Sequence, residues 1–113
     1  MMLPVFRAVL VAHALGVLIQ SVLAGQFLSG VEQPVVIHEW TAWIIVGLSA
    51  LQVILAMAAA TLQVVIASLF ILIAEALQTA TGYGRFLSVH VPLGVFLFGA
   101  MIWLVVWTFR RPS

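Results

Sequence analysis

Apolar residues fill this chain in four long runs separated by three short breaks. Runs of that length predict helices able to cross a bilayer, which takes about 20 apolar residues. The first covers residues 4–27 and leads into Gly25-Gln26-Phe27-Leu28-Ser29-Gly30. Glu32, Gln33 and Pro34 make 31–37 too polar for a span, so that stretch reads as a loop. The second run covers 38–59, the third 62–79 and the fourth 86–109, ending at Arg110-Arg111-Pro112. Thr81-Gly82-Tyr83-Gly84-Arg85, rich in turn formers, divides the third from the fourth. The join between the second and third, Ala58-Ala59-Ala60-Thr61, holds no glycine or proline. A single helix over 38–79 would be about 60 Å long at 1.5 Å per residue, twice the hydrocarbon thickness of roughly 30 Å. The chain must therefore turn near Ala60.

Composition supports the pattern. Of 113 residues, 65% are hydrophobic and 6% charged, whereas a soluble domain needs about 25% charged residues. A net charge of +1 excludes an electrostatic nucleic-acid binder. The absence of cysteine excludes disulfides, iron–sulfur clusters, thiolate zinc sites and a cysteine nucleophile. The expected fold is all-α: one integral membrane domain over 1–113, an up-down-up-down four-helix bundle in the lipid bilayer of a bacterial or archaeal cell membrane. Arg7, Arg110 and Arg111 fall at one end and Arg85 at the other, which places both termini inside by the positive-inside rule. Trp40 and Trp43 then mark the outer interface and Trp107 the inner one, with Trp103 a turn deeper. Arg7, an apolar core and Val22-Leu23-Ala24 also resemble a cleavable signal, but the apolar stretch is longer than a signal core and is read as a span.

Polar side chains inside membrane helices are costly and tend to be functional. Here they are His13, His38, His90, Glu75, Gln20, Gln52, Gln63 and Gln78. His38 opens the second run and His90 lies about a turn into the fourth, so both occupy the outer layer at matched depth. Spans two and four are diagonal in such a bundle. Neighbours at 8–10 Å put the diagonal at roughly 12–14 Å, the backbone separation that holds a flat macrocycle between two imidazoles. A small residue follows each histidine by four positions, Ala42 and Gly94, leaving clearance on the same face. The pattern suits haem b with His38 and His90 as its two metal ligands. His38 to Gly47 aligned with His90 to Gly99 matches both glycines, and Val17-Leu18-Ile19 with Leu23 parallels Ile71-Leu72-Ile73 with Leu77. The chain thus reads as a two-helix repeat.

Glu75 is read into the same outer layer, where three roles are open. It could orient an axial imidazole, relay protons, or pair with Arg85. Arg85 and Tyr83 lie at the mouth of that layer, where arginine suits the carboxylates of a haem. His13 is placed in the inner half or middle, away from the others, bonded to a backbone carbonyl, Gln63 or Gln52. Ser88 is read as the N-cap of the fourth helix, putting Pro92 in its first turn. Gly16 with Ala12, and Gly47 with Ala50, read as close packing points.

The layout resembles one four-helix half of the haem A synthase family, in which each half carries a histidine at the outer end of its second and fourth helices; it also resembles small four-span bacterial haem-b membrane proteins. The resemblance rests on Ile37-His38, Val89-His90 and the repeat, and implies bis-histidine haem b binding by His38 and His90. The synthases carry a glutamate shortly before the histidine of the second helix. Here Val35, Val36 and Ile37 precede His38, and Glu39 follows it, so synthase chemistry is not implied. The expected function is electron transfer by a membrane cytochrome, with a quinol or a respiratory complex as partner and no catalytic residues. The alternatives are a small proton-coupled transporter using Glu75 and a cofactor-free accessory subunit of a membrane complex, docking through faces that carry Phe70, Phe96 and Phe98.

Overall fold

The computed structural model describes residues 2–110, and all regular structure among them is helical. Four helices follow in order: α1 Met2–Leu28, α2 Pro34–Ala59, α3 Leu62–Tyr83 and α4 Leu87–Arg110. Each is long and apolar enough to cross a membrane. The bundle measures 46 × 20 × 20 Å. Helices adjacent in sequence pack together, and α4 closes the ring on α1. Neither diagonal pair, α1 with α3 or α2 with α4, brings its backbones within 8 Å.

The expected helix number is found, with longer elements. Helix α2 starts one turn earlier than 38, because Pro34 stands at its first position, where a missing N–H costs nothing. Helix α3 continues to Tyr83, one turn beyond 79. Thr81-Gly82-Tyr83 is therefore helical, and only Gly84, Arg85 and Phe86 form the link. Ala60 and Thr61, both extended, interrupt the chain where the length argument required a break. The residues Arg111 and Pro112, read as ending the fourth run, lie outside the described residues.

The same turn ends α1 and α3. After α1, the amide of Val31 reaches the carbonyl of Gln26 and that of Gly30 reaches Phe27, with Gly30 at φ 92°. This is a Schellman cap with glycine in the left-handed position. After α3, Phe86 bonds to Thr81 and Arg85 to Gly82, with Arg85 at φ 56°. An arginine there bears the left-handed penalty that glycine escapes, about 1–2 kcal/mol. Ser88 does not cap α4: the helix begins at Leu87, and the amides of Val89 and His90 bond to the carbonyl of Phe86. Pro92 consequently falls inside the helix, beyond its first turn.

The core fills only one half of the bundle's length. Phe6, Leu10, Ala56, Val64, Met101 and Leu104 interlock there, and Arg7 ties the start of α1 to the end of α4 by donating to the carbonyl of Thr108 (3.0 Å). At the opposite end, where α1 gives way to α2 and α3 to α4, the walls thin. The last buried residue of α1 is Val17, and the first of α4 is Leu97. Gly16 is a true packing point, since a Cβ there would lie 3.1 Å from Ile45 Cγ1. Gly47 is not, having nothing within 4 Å of its Cβ position. Replacing Gly16 by leucine is expected to lower stability by about 1–3 kcal/mol through overpacking. The same change at Gly47 should leave unfolding in detergent unaltered.

Candidate functional site

Two polar clusters occupy the thin-walled half and its floor. At the open end, His38 of α2 and His90 of α4 face each other across the diagonal, their ring centres 6.2 Å apart and their planes at 66°. The carbonyl of Gln78 lies 2.8 Å from Nδ1 of His90. A carbonyl can only accept, so Nδ1 carries a proton, and in the neutral ring Nε2 is then the atom with a bare lone pair, the state of a metal-binding imidazole. Gly82 makes that orientation possible: a Cβ there would meet His90 Cε1 at 2.9 Å and Nδ1 at 3.1 Å. The second and third turns of α2 are tied to α1 by Gln20, which donates to the carbonyl of His38 (3.0 Å) and accepts from the hydroxyl of Thr41 (2.9 Å).

Both histidines line a cavity of about 290 Å³, with Ala42, Gly94, Gln78 and Glu75 also in its wall. Its exposed lining residues, Ser21, Gly25 and Leu28 on α1 and Val91 and Val95 on α4, place the opening sideways between those helices. The volume is near the lower limit of small-molecule sites, roughly 300 Å³, and the lateral opening lets a larger flat ligand extend beyond it. Three buried polar atoms of lining residues have no hydrogen-bond partner: His38 Nδ1, Gln78 Oε1 and Glu75 Oε2. Buried orphans of this kind mark a place for a ligand or water.

The second cluster is deeper and was misplaced by sequence reasoning. His13, fully buried, bridges the other diagonal: its Nε2 pairs with Glu75 Oε1 and its Nδ1 lies 2.7 Å from Gln52 Oε1. Gln52 Nε2 in turn donates to Ser68 Oγ (3.1 Å). The expected bond from His13 to Gln52 is present, but His13 is not apart from Glu75. Ending α3 at 79 put Glu75 near the helix end; with α3 reaching Tyr83 it lies two turns from that end, level with His13. Glu75 therefore neither orients an axial imidazole nor pairs with Arg85. Gln78, one turn closer to the histidines, holds His90 instead.

Other assignments also change. Arg85 is exposed in the turn and does not line the cavity. Tyr83 is engaged elsewhere, its hydroxyl donating to Glu39 Oε1 (2.7 Å) and accepting from Trp43 Nε1 (3.1 Å). The space beside Gly94 is taken by the amide of Gln78, 3.0 Å from where a Cβ would be. Gly82, Gln78 and His13 are the residues that sequence reasoning left without these roles. The glycine just past the predicted end of the third run and one turn before the predicted start of the fourth was the available signal for the first.

Among the described residues no group of three or more His, Cys, Asp or Glu side chains could hold a metal ion. A bare cation is therefore poorly served. Two imidazoles with ring centres 6.2 Å apart suit a metal whose other positions a macrocycle fills. Imidazole nitrogens bond metals at about 2 Å, so two on one atom put their ring centres about 6 Å apart, close to the spacing here.

No family model, curated protein or solved structure matches the chain.

Gly82→Ala should push the His90 ring off the Gln78 carbonyl and cost about 1–3 kcal/mol by overpacking, while Gly99→Ala, with open space at its Cβ, should be neutral in the same unfolding assay. His13→Ala leaves a buried carboxyl without its partner, and a loss of roughly 3–5 kcal/mol is expected, measurable as a lowered unfolding midpoint in detergent.

Proposed function

We propose that this protein is a multi-pass membrane cytochrome that holds one haem b between His38 and His90 and passes single electrons. The observation that carries the reading is the 6.2 Å separation of two imidazoles on diagonal helices, with Nδ1 of His90 committed to the Gln78 carbonyl. That arrangement leaves Nε2 as the donor atom. Bound haem supplies a one-electron couple. The chain's own residues orient the ligands and exclude water: Gln78 and Gly82 fix the His90 ring, Gln20 and Thr41 anchor the turn that carries His38, and Val17, Ile45, Val46 and Leu97 line the cavity with apolar surface.

The topology follows from the connections. Links of two to five residues join helices that must turn back on themselves, giving an up-down-up-down bundle, and the like turns at Gly30 and Arg85 accord with a two-helix repeat. The arginine distribution favours both termini inside, in the membrane of a bacterium or archaeon. A haem held by His38 and His90 would then lie near the extracytoplasmic face. A single haem in one leaflet does not span the bilayer, so donor and acceptor meet it from one side or through the membrane plane. A quinol entering between α1 and α4, or a subunit of a respiratory complex, fits that requirement. Haem A synthase chemistry is not part of the proposal.

Absorption of the purified protein is the test. A Soret band at about one haem per chain is expected, with loss of the six-coordinate spectrum in His38→Ala and in His90→Ala. Haem content should approach zero when both changes are combined. Absence of a Soret band, or a band that persists in the double variant, overturns the reading.

A further inference from the structure

We infer that the His13–Glu75 pair is a proton-loading site of the cavity, taking up one proton for each electron delivered between His38 and His90. This rests on the haem reading above and adds a coupled proton to it.

Hydrogen bonding locates the protons already present. Gln52 Nε2 donates to Ser68 Oγ, which leaves the amide oxygen to face His13. That oxygen only accepts, so His13 Nδ1 carries a hydrogen. One further proton lies between His13 Nε2 and Glu75 Oε1. Whichever atom holds it, the pair has zero net charge: imidazolium with carboxylate, or imidazole with carboxylic acid. A single protonation position then remains, Glu75 Oε2. That oxygen is buried with no partner, on a residue that lines the same cavity as His38 and His90.

An electron entering this cavity removes one unit of positive charge from an apolar interior. Charge imbalance in such a medium is far more costly than in water. A proton on Oε2, drawn from the aqueous side at the open end, restores the sum: one electron in, one proton in, and both leave on reoxidation. In the membrane a quinol is the class of reductant that delivers both. Gln20, Ser21, Gln78 and Thr79 supply polar groups along the wall shared with Glu75. His13 from α1 pairs with Glu75, and His38 from α2 and His90 from α4 are the other titratable groups lining the same cavity. The remaining described charges lie elsewhere: Arg7 binds the carbonyl of Thr108 at the far end, Glu39 binds Tyr83 at the surface, and Glu32, Arg85 and Arg110 are exposed.

The test is a redox titration of the purified, haem-loaded protein at a series of pH values, with dithionite as reductant. Full coupling makes the reduction equilibrium tenfold less favourable per pH unit, a shift of about 59 mV for one electron. Reduction in weakly buffered solution should also consume protons, read with an indicator dye. Reduced-minus-oxidised infrared spectra should show a protonated-carboxyl band that is new, or shifted if Glu75 already holds the shared proton. The slope and the infrared signal should vanish in Glu75→Gln and return in Glu75→Asp. A pH-independent potential in the unaltered protein, with its Soret band intact, overturns the coupling while leaving haem binding in place. An undiminished slope in Glu75→Gln removes Glu75 from it. If Glu75→Gln does not accumulate, the infrared spectrum of the unaltered protein decides, and a missing carboxyl signal counts against the site. No Soret band at all defeats the haem reading and this inference together.

Discussion

Polar side chains inside an apolar four-helix bundle have no water to turn to, so each must find a partner on another helix or leave space for something else to bind. Here that constraint is met differently at two levels. In the middle, His13 reaches across one diagonal to Glu75, and Gln52 and Ser68 complete a chain of bonds over three helices. Towards the open end, His38 and His90 meet across the other diagonal without bonding to each other. The first level is closed to further ligands except at one carboxyl oxygen. The second retains orphaned atoms and a cavity.

The division of the bundle follows from side-chain size and position. Phe6, Leu10, Met101 and Leu104 fill the axis at one end, where Arg7 fastens α1 to α4. At the other, the residues that would face the axis are small or polar: Gln20, Ala24, Ala42, Gly94 and the two histidines. The packed half supplies rigidity, and the mid-level network joins α1, α2 and α3 at the floor of the open half. A ligand site needs its donors held by firmly packed elements. The Schellman turns at Gly30 and Arg85 set the open end, since they decide where α2 and α4 begin and hence how far each histidine lies from its turn.

The pairing of His38 with His90 was legible because helix starts are marked by loop chemistry, and two residues near two starts at one end must share a level. The depth of Glu75 was not legible in the same way. It depended on whether Gly82 ended α3, and glycine is tolerated inside a helix when something packs against it. His90 packs there, so the helix continued by one turn. That turn moved Glu75 out of the histidine layer and into reach of His13. Arg85 was assigned to a cofactor by its charge; its backbone, held at positive φ in the turn, points to a role in chain reversal.

Composition and run length alone determined four membrane-length helices, the position of the breaks and the short inventory of polar groups available for chemistry. They could do so because hydrophobic length and turn propensity act locally along the chain. Which polar group meets which was decided only by tertiary packing. A one-turn change in a helix end moves a side chain by about 5.4 Å, more than the reach of a hydrogen bond, so partners across a diagonal depend on all four helices taking up their register together.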